Sequence, residues 1–190
     1  QNLTRSMRDQ KGRIEASAFS EVWAVFLALC SVLILPKLLA KLPWVLNAFF
    51  VTPSAHVAAL LMGVPLDSME EGRLLLLPAY GRAMEVTCEC SGTGFFSLLI
   101  ALVLWHAARG RRLHFFALLP LAFPVALMVN GSRIAAGAWV GAMIDNHFGP
   151  HYHDMAHMLL GSMVFLPALY VVHLLLNHVS LRIESPEKCL

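Results

Sequence analysis

Glu85-Val86-Thr87-Cys88-Glu89-Cys90-Ser91-Gly92-Thr93-Gly94 runs without a break into the apolar segment from Phe95 to Ala108. A polar, cysteine-bearing turn at the mouth of a membrane-length helix is an unusual thing to build. It divides the chain into what precedes the turn and what must be brought to it. The bulk composition agrees with a membrane setting: 58% of the 190 residues are hydrophobic and 14% are charged. Soluble domains carry about 25% charged residues. The mean hydropathy is +0.66, and the apolar residues are concentrated in several long runs. A net charge of +2 gives no footprint for nucleic acid, and the basic residues stand in short clusters beside apolar runs, which is a topology signal.

Working outward, Gln1 to Ala18 is polar and basic and is expected to be a cytoplasmic N-terminal tail (1–18). The chain begins with Gln rather than Met, so upstream residues are expected. No secretory signal peptide stands out, and the first apolar stretch is long enough to stay as an anchor. Glu21 to about Leu42 is the first expected span, with Pro36 as a kink and Lys37 and Lys41 snorkelling. Trp44 to Leu66 contains Asn47, Thr52-Pro53-Ser54 and His56. If it crossed, Arg109 to Arg112 would lie outside while the basic N-terminus lay inside, against the positive-inside tendency. It is therefore expected to lie on or dip into the outer face. Asp67 to Gly72 reads as an acidic turn. Arg73 to Pro78 and Arg82 to Thr87, around Ala79-Tyr80-Gly81, read as a short hairpin. Thr93 to Ala108 and Leu113 to Val129 are the second and third spans, with Pro120 and Pro124 tolerated inside the membrane.

Asn130-Gly131-Ser132 reads as a turn that aims Arg133, and Ile134 to Ile144 is too short to cross, so it is expected to be re-entrant. Met155 to about Asn177 is the last span. The expectation is an all-α integral membrane protein of about four transmembrane helices, with interfacial or re-entrant helices and a short outer β-hairpin. One membrane-embedded domain covers 19–180, and a cytoplasmic tail covers 181–190. Cys90, Arg133 and His157 then all fall at the outer ends of spans.

Each of these residues has a plain reading as well. A lone Arg beyond a span is more often an interfacial anchor, and a lone His there a cap. Gly161 and Phe165 follow His157 on one helix face, and a small residue one turn below the histidine lets another helix approach. Cys90 has the strongest context. A thiol reacts as thiolate, and a helix start, Arg133 or a protonated His157 would favour that form. Backbone amides at Gly92 and Gly94 could stabilise an oxyanion. Together the three residues point to acyl transfer by a thiol: Cys90 attacks a carbonyl, His157 protonates the departing amine, and Arg133 holds the thiolate or oxyanion. Two rival readings use overlapping residues. Cys88 and Cys90 could form a redox pair, although C-x-C is tighter than the usual C-x-x-C. His151, His153, Asp154 and His157 could bind a metal for a hydrolase, although no carboxylate helper is defined. A non-catalytic assembly subunit is the third class. Cys30 reads as a packed thiol, Cys189 makes no prenylation box, and the remaining histidines read as packing or interfacial residues.

Cys90-Ser91-Gly92 leading into a span, Asn130-x-x-Arg133 and His157-x-x-x-Gly161-x-x-x-Phe165 resemble, in order and spacing, the exosortase/archaeosortase family. The resemblance covers about residues 45 to 177; the chain is shorter than eight-span members, and Cys88 is not part of the pattern. It implies a membrane cysteine transpeptidase that needs no cofactor. Its catalytic residues would be Cys90, Arg133 and His157, with Ser91, Gly92 and Asn130 supporting substrate or oxyanion. Its substrates would be membrane-anchored proteins ending in a Pro-Glu-Pro-like motif, a membrane helix and a basic tail. The acceptor would be a lipid-linked or polysaccharide carrier of the envelope. The implied location is the inner membrane, multi-pass, with the active site at the outer face.

Overall fold

The computed structural model describes residues 22–23, 25–68, 74–76, 84–110, 118–147 and 153–184. Five helices and one small sheet account for nearly all of them. Helix α1 spans Val25–Ala40. Helix α2, Pro43–Met62, starts on the ring of Pro43, which has no amide to leave unpaired. It widens to i→i+5 hydrogen bonding over Leu46–Val51 and ends at Gly63, whose φ of 64° is the left-handed cap that glycine adopts freely. Strands β1 (Leu66–Ser68), β2 (Leu74–Leu76) and β3 (Met84–Val86) form an antiparallel sheet in sequence order. The β2–β3 pair is the hairpin expected from the sequence, with Leu75 opposite Glu85; its bend, 79–81, lies outside the described residues. The acidic stretch after Leu66 is not all turn, because its first residues add β1 as a third strand.

Beyond β3, Cys88–Cys90 make a single tight turn. Helices α3 (Thr93–Gly110), α4 (Leu119–His147) and α5 (His153–Glu184) follow. Among the described residues, four helices are long and apolar enough to cross a membrane: Pro43–Met62, Cys88–Ala107, Leu119–Gly141 and Met158–Val179. The chain is thus a helical multi-pass membrane protein. That set includes α2, which the charge pattern had assigned to the outer face. Leu46–Val51 touches the cysteine turn, and Thr52–Met62 packs mainly along the helix Leu119–His147 and also touches β1 and β2. The described part of the first expected span, α1, is shorter and apolar. Leu39 near its end packs on the same cluster as the sheet.

Two expectations need correcting. The third span does not stop at Val129, and Ile134 to Ile144 is not a separate re-entrant piece. Both belong to α4, 29 residues long, or ~44 Å at the α-helical rise. The polar run Asn130-Gly131-Ser132 stays helical because each residue has a tertiary or local partner. Ser132 Oγ donates to the Met128 carbonyl at 2.9 Å, the way membrane helices absorb hydroxyls. Gly131 lies so close to α2 that a methyl there would overlap the Val57 side chain and reach 3.0 Å from the Ser54 carbonyl. Small residues on both sides, Ser54, Ala55 and Ala58 on α2 among them, are fully buried in this seam. Pro124 and Pro167 sit inside α4 and α5; neighbouring helices tolerate them.

Burial divides into three layers, the one farthest from the sheet formed by Val103 and Ala107 of α3 with Leu176 of α5. At one end, Leu46, Val51, Ala55 and Ala58 of α2 join Leu74, Leu76 and Val86 of the sheet, Cys90 and Ile134. Below it, Phe95, Leu99, Ala122 and Ala126 tie α3 to α4, with Phe165 and Val172 of α5 against them. Phe50 bridges these two layers, its ring 5.3 Å from that of Phe96 and 5.5 Å from that of Phe123.

Candidate active site

The cysteine turn meets α4 where Asn130 and Arg133 lie. Thr87 is extended, and the chain then closes so that the Cys90 amide donates to the Thr87 carbonyl at 2.9 Å and the Ser91 amide to the Cys88 carbonyl at 3.1 Å. Gly92 takes φ 69°, and α3 starts at Thr93. The two cysteines face different surroundings. Cys90 is buried at 6% exposure, whereas Cys88 is exposed and donates through Sγ to Asn47 Oδ1 of α2 at 3.3 Å. Ser91 is buried beside Cys90, its hydroxyl 3.3 Å from that of Thr93.

Asn130 crosses from α4 to this turn. Its Nδ2 donates to the Cys90 carbonyl at 2.6 Å, and its Oδ1 accepts from Arg133 Nη1 at 3.3 Å. The Arg133 guanidinium lies over the Phe165 ring, Cζ 5.3 Å from the centroid, within cation–π range. Phe165 in turn stacks on Phe95, with centroids 4.7 Å apart and planes 15° from parallel. Gly161, one turn earlier on α5, makes room for the Arg133 side chain: a methyl there would stand 3.3 Å from Nε. Arg133 is therefore not past the end of a span, as the sequence reading had it. It lies within the apolar stretch Leu119–Gly141 of a continuous helix, where an arginine is costly without company.

His157 belongs to α5. One turn before Gly161, it shares the helix face that meets Arg133 through Gly161 and Phe165; its side chain lies outside the described residues. Thus the turn bearing Cys90 and the guanidinium of Arg133 are brought together through one amide, and the α5 face bearing Gly161 and Phe165 closes on the guanidinium. His151 lies outside the described residues, as do the side chains of His153 and Asp154. Among the described residues no three His, Cys, Asp or Glu side chains group as metal ligands do.

The sequence reading did not single out Phe95, which has no signal beyond following the motif, or the pairing of Asn47 with Cys88. Asn47 was visible as a polar residue in an apolar helix, but nothing in sequence named its partner 41 residues away. A family model described as transmembrane exosortase matches residues 13–174. No curated protein and no solved structure matches the chain.

Proposed function

This chain belongs to the transmembrane exosortase family, and from that premise we propose that it is a membrane cysteine transpeptidase working through Cys90, Arg133 and His157. The observation that carries the reading is the Asn130 bridge, which ties the backbone of Cys90 to the guanidinium of Arg133 although the residues are far apart in sequence. Family membership alone would leave the two unconnected.

The Cys90 thiolate adds to the carbonyl carbon of a peptide bond in the substrate's sorting signal. The resulting oxyanion is met by amides at the start of α3, those of Gly92 and Gly94. Cys90 and Ser91 have their own amides engaged within the turn, so the later ones fit this role better. The C–N bond breaks, the leaving amine takes a proton from His157, and the acyl group remains on sulfur as a thioester. An envelope acceptor, lipid-linked or polysaccharide, then attacks the thioester carbonyl, gives its proton to His157 and releases Cys90. Arg133 stays cationic throughout and stabilises negative charge, first on sulfur and then on oxygen. The substrate's own membrane helix holds its cleavage site at the depth of the turn, which removes much of the entropic cost of encounter.

The burial of Cys90 and exposure of Cys88 favour a single nucleophile over a redox pair. The test is to express Cys88→Ala and Cys90→Ala with a membrane-anchored reporter ending in a Pro-Glu-Pro-like motif, a helix and a basic tail. Processing should vanish in Cys90→Ala and persist in Cys88→Ala. Equal loss in both would turn the reading to thiol redox chemistry, and loss on chelation with recovery on added zinc would turn it to the histidine cluster.

A further inference from the structure

The transpeptidase reading names an attacking group and a cation but not what fixes one against the other. We propose that Asn130 is the positioning residue that sets the geometry between Cys90 and Arg133, a role that rests on the reading above and differs from the oxyanion support expected from sequence.

The side chain is 1% exposed, and both ends of its amide are committed. A backbone carbonyl can only accept and a guanidinium can only donate, so one orientation of the carboxamide satisfies both neighbours and the reverse satisfies neither. Gly92 lies against it in the left-handed region. A methyl added to Gly92 would stand 2.5 Å from Asn130 Cγ and 2.8 Å from Oδ1. With asparagine at 130, the turn therefore fits only with glycine at 92.

Two consequences follow for the reaction. The carbonyl held by Nδ2 is that of Cys90 itself. Fixing that peptide fixes the Cα–Cβ direction from which the thiol projects. The acceptor held towards Arg133 turns the guanidinium on its side chain, with the Phe165 ring on another side. One buried amide thus sets both groups, and an error of about 1 Å in either costs on the order of 10²-fold in rate. Asn130 touches neither substrate nor the reacting atoms in this scheme.

The test uses the full chain in membranes with the same reporter, comparing Asn130→Ala, Arg133→Ala and the double variant. Asn130→Ala should lower kcat about 10²-fold with KM within about twofold. Because Asn130 acts partly through Arg133, the double variant should be far less impaired than the product of the two single losses. A readout that does not require turnover is the alkylation rate of each thiol, followed by mass spectrometry. Asn130→Ala should change the rate at Cys90 by about fivefold or more and leave Cys88 unchanged. Where Asn130→Ala fails to melt cooperatively, Asn130→Asp replaces it. The aspartate is nearly isosteric and keeps an acceptor for Arg133, but it sets an oxygen against the Cys90 carbonyl, so it should reproduce the kcat loss and the altered Cys90 alkylation. A folded variant with kcat and Cys90 alkylation unchanged, a change in KM alone, or fully multiplicative losses would overturn the proposal. If Cys90→Ala still processes the reporter, the transpeptidase reading falls, whereas Cys90 alkylation in the Asn130 variants still decides whether the amide holds the turn.

Discussion

The two ends of the helix bundle both carry polar groups between apolar helices, and they treat them differently. At the sheet end, Cys90, Ser91 and Asn130 are 6%, 6% and 1% exposed. Glycines stand at 92, 131 and 161, where a methyl would crowd Asn130, Val57 or Arg133. At the other end, ~20 Å of helix rise beyond Thr93, His106 of α3 meets His173 of α5, Nε2 to Nδ1 at 3.2 Å, and His173 Nε2 meets the Asn177 amide at 3.0 Å. Those three residues are only half-buried, and the rings are tilted at 50° rather than stacked. The first cluster is over-determined from several elements. The second is a short chain of bonds across one helix pair, the kind that fastens membrane helices without fixing atoms to a fraction of an ångström. On the proposed reading the first cluster is where the chemistry sits, and the second only fastens the bundle.

The comparison breaks most visibly at Arg133. Arg133→Ala should reduce reporter processing about 10²- to 10³-fold, and Arg133→Lys should fall nearly as far, because an ammonium cannot lie flat on the Phe165 ring while meeting Asn130. Full activity of the lysine variant, measured as initial rates in membranes, would remove the planar role given to the guanidinium. Next comes Gly131→Val, which forces α2 and α4 apart. A destabilisation of about 1–3 kcal/mol is expected, read as a lower melting temperature in detergent with processing falling alongside. Gly161→Ala should act more narrowly. The added methyl obliges Arg133 Nε to give way by a few tenths of an ångström, so processing should drop several-fold with melting unchanged, which separates positioning from stability. The smallest effect belongs to the opposite end. His106→Leu should cost about 0.6 kcal/mol, the average for an interhelical hydrogen bond in a membrane, and leave processing as it was. A large activity loss there would make the two ends functionally alike and void the distinction.

Much of the sheet end was legible in the sequence, because its signals are local. The cysteine turn, the start of α3, the β2–β3 pairing and the shared face of Gly161 and Phe165 all follow from spacing. What failed was the segment around Asn130. Asn, Gly and Ser compete with helix in water by bonding to nearby backbone, so their succession reads as a turn. Here their partners are tertiary: the Cys90 carbonyl for Asn130 and the α2 surface for Gly131. No local pattern announces a partner on another helix. The same applies to β1, whose pairing with β2 joins residues that read singly as turn. Helix α2 was half legible: charge parity pointed to the outer face, but its length and apolar character make it a membrane-length helix, packed along α4 and touching the cysteine turn and the sheet.

Arg133 is the middle residue of α4, with ~21 Å of helix on either side, and it lies ~12 Å short of Gly141, where the apolar stretch closes. The Cys90 backbone, tied to that guanidinium through Asn130, is itself buried. On the proposed reading, an acyl group carried by Cys90 would be shielded there from spontaneous hydrolysis, and its fate would be set by the nucleophile delivered to it. Enclosure of the turn would then favour conjugation over simple release.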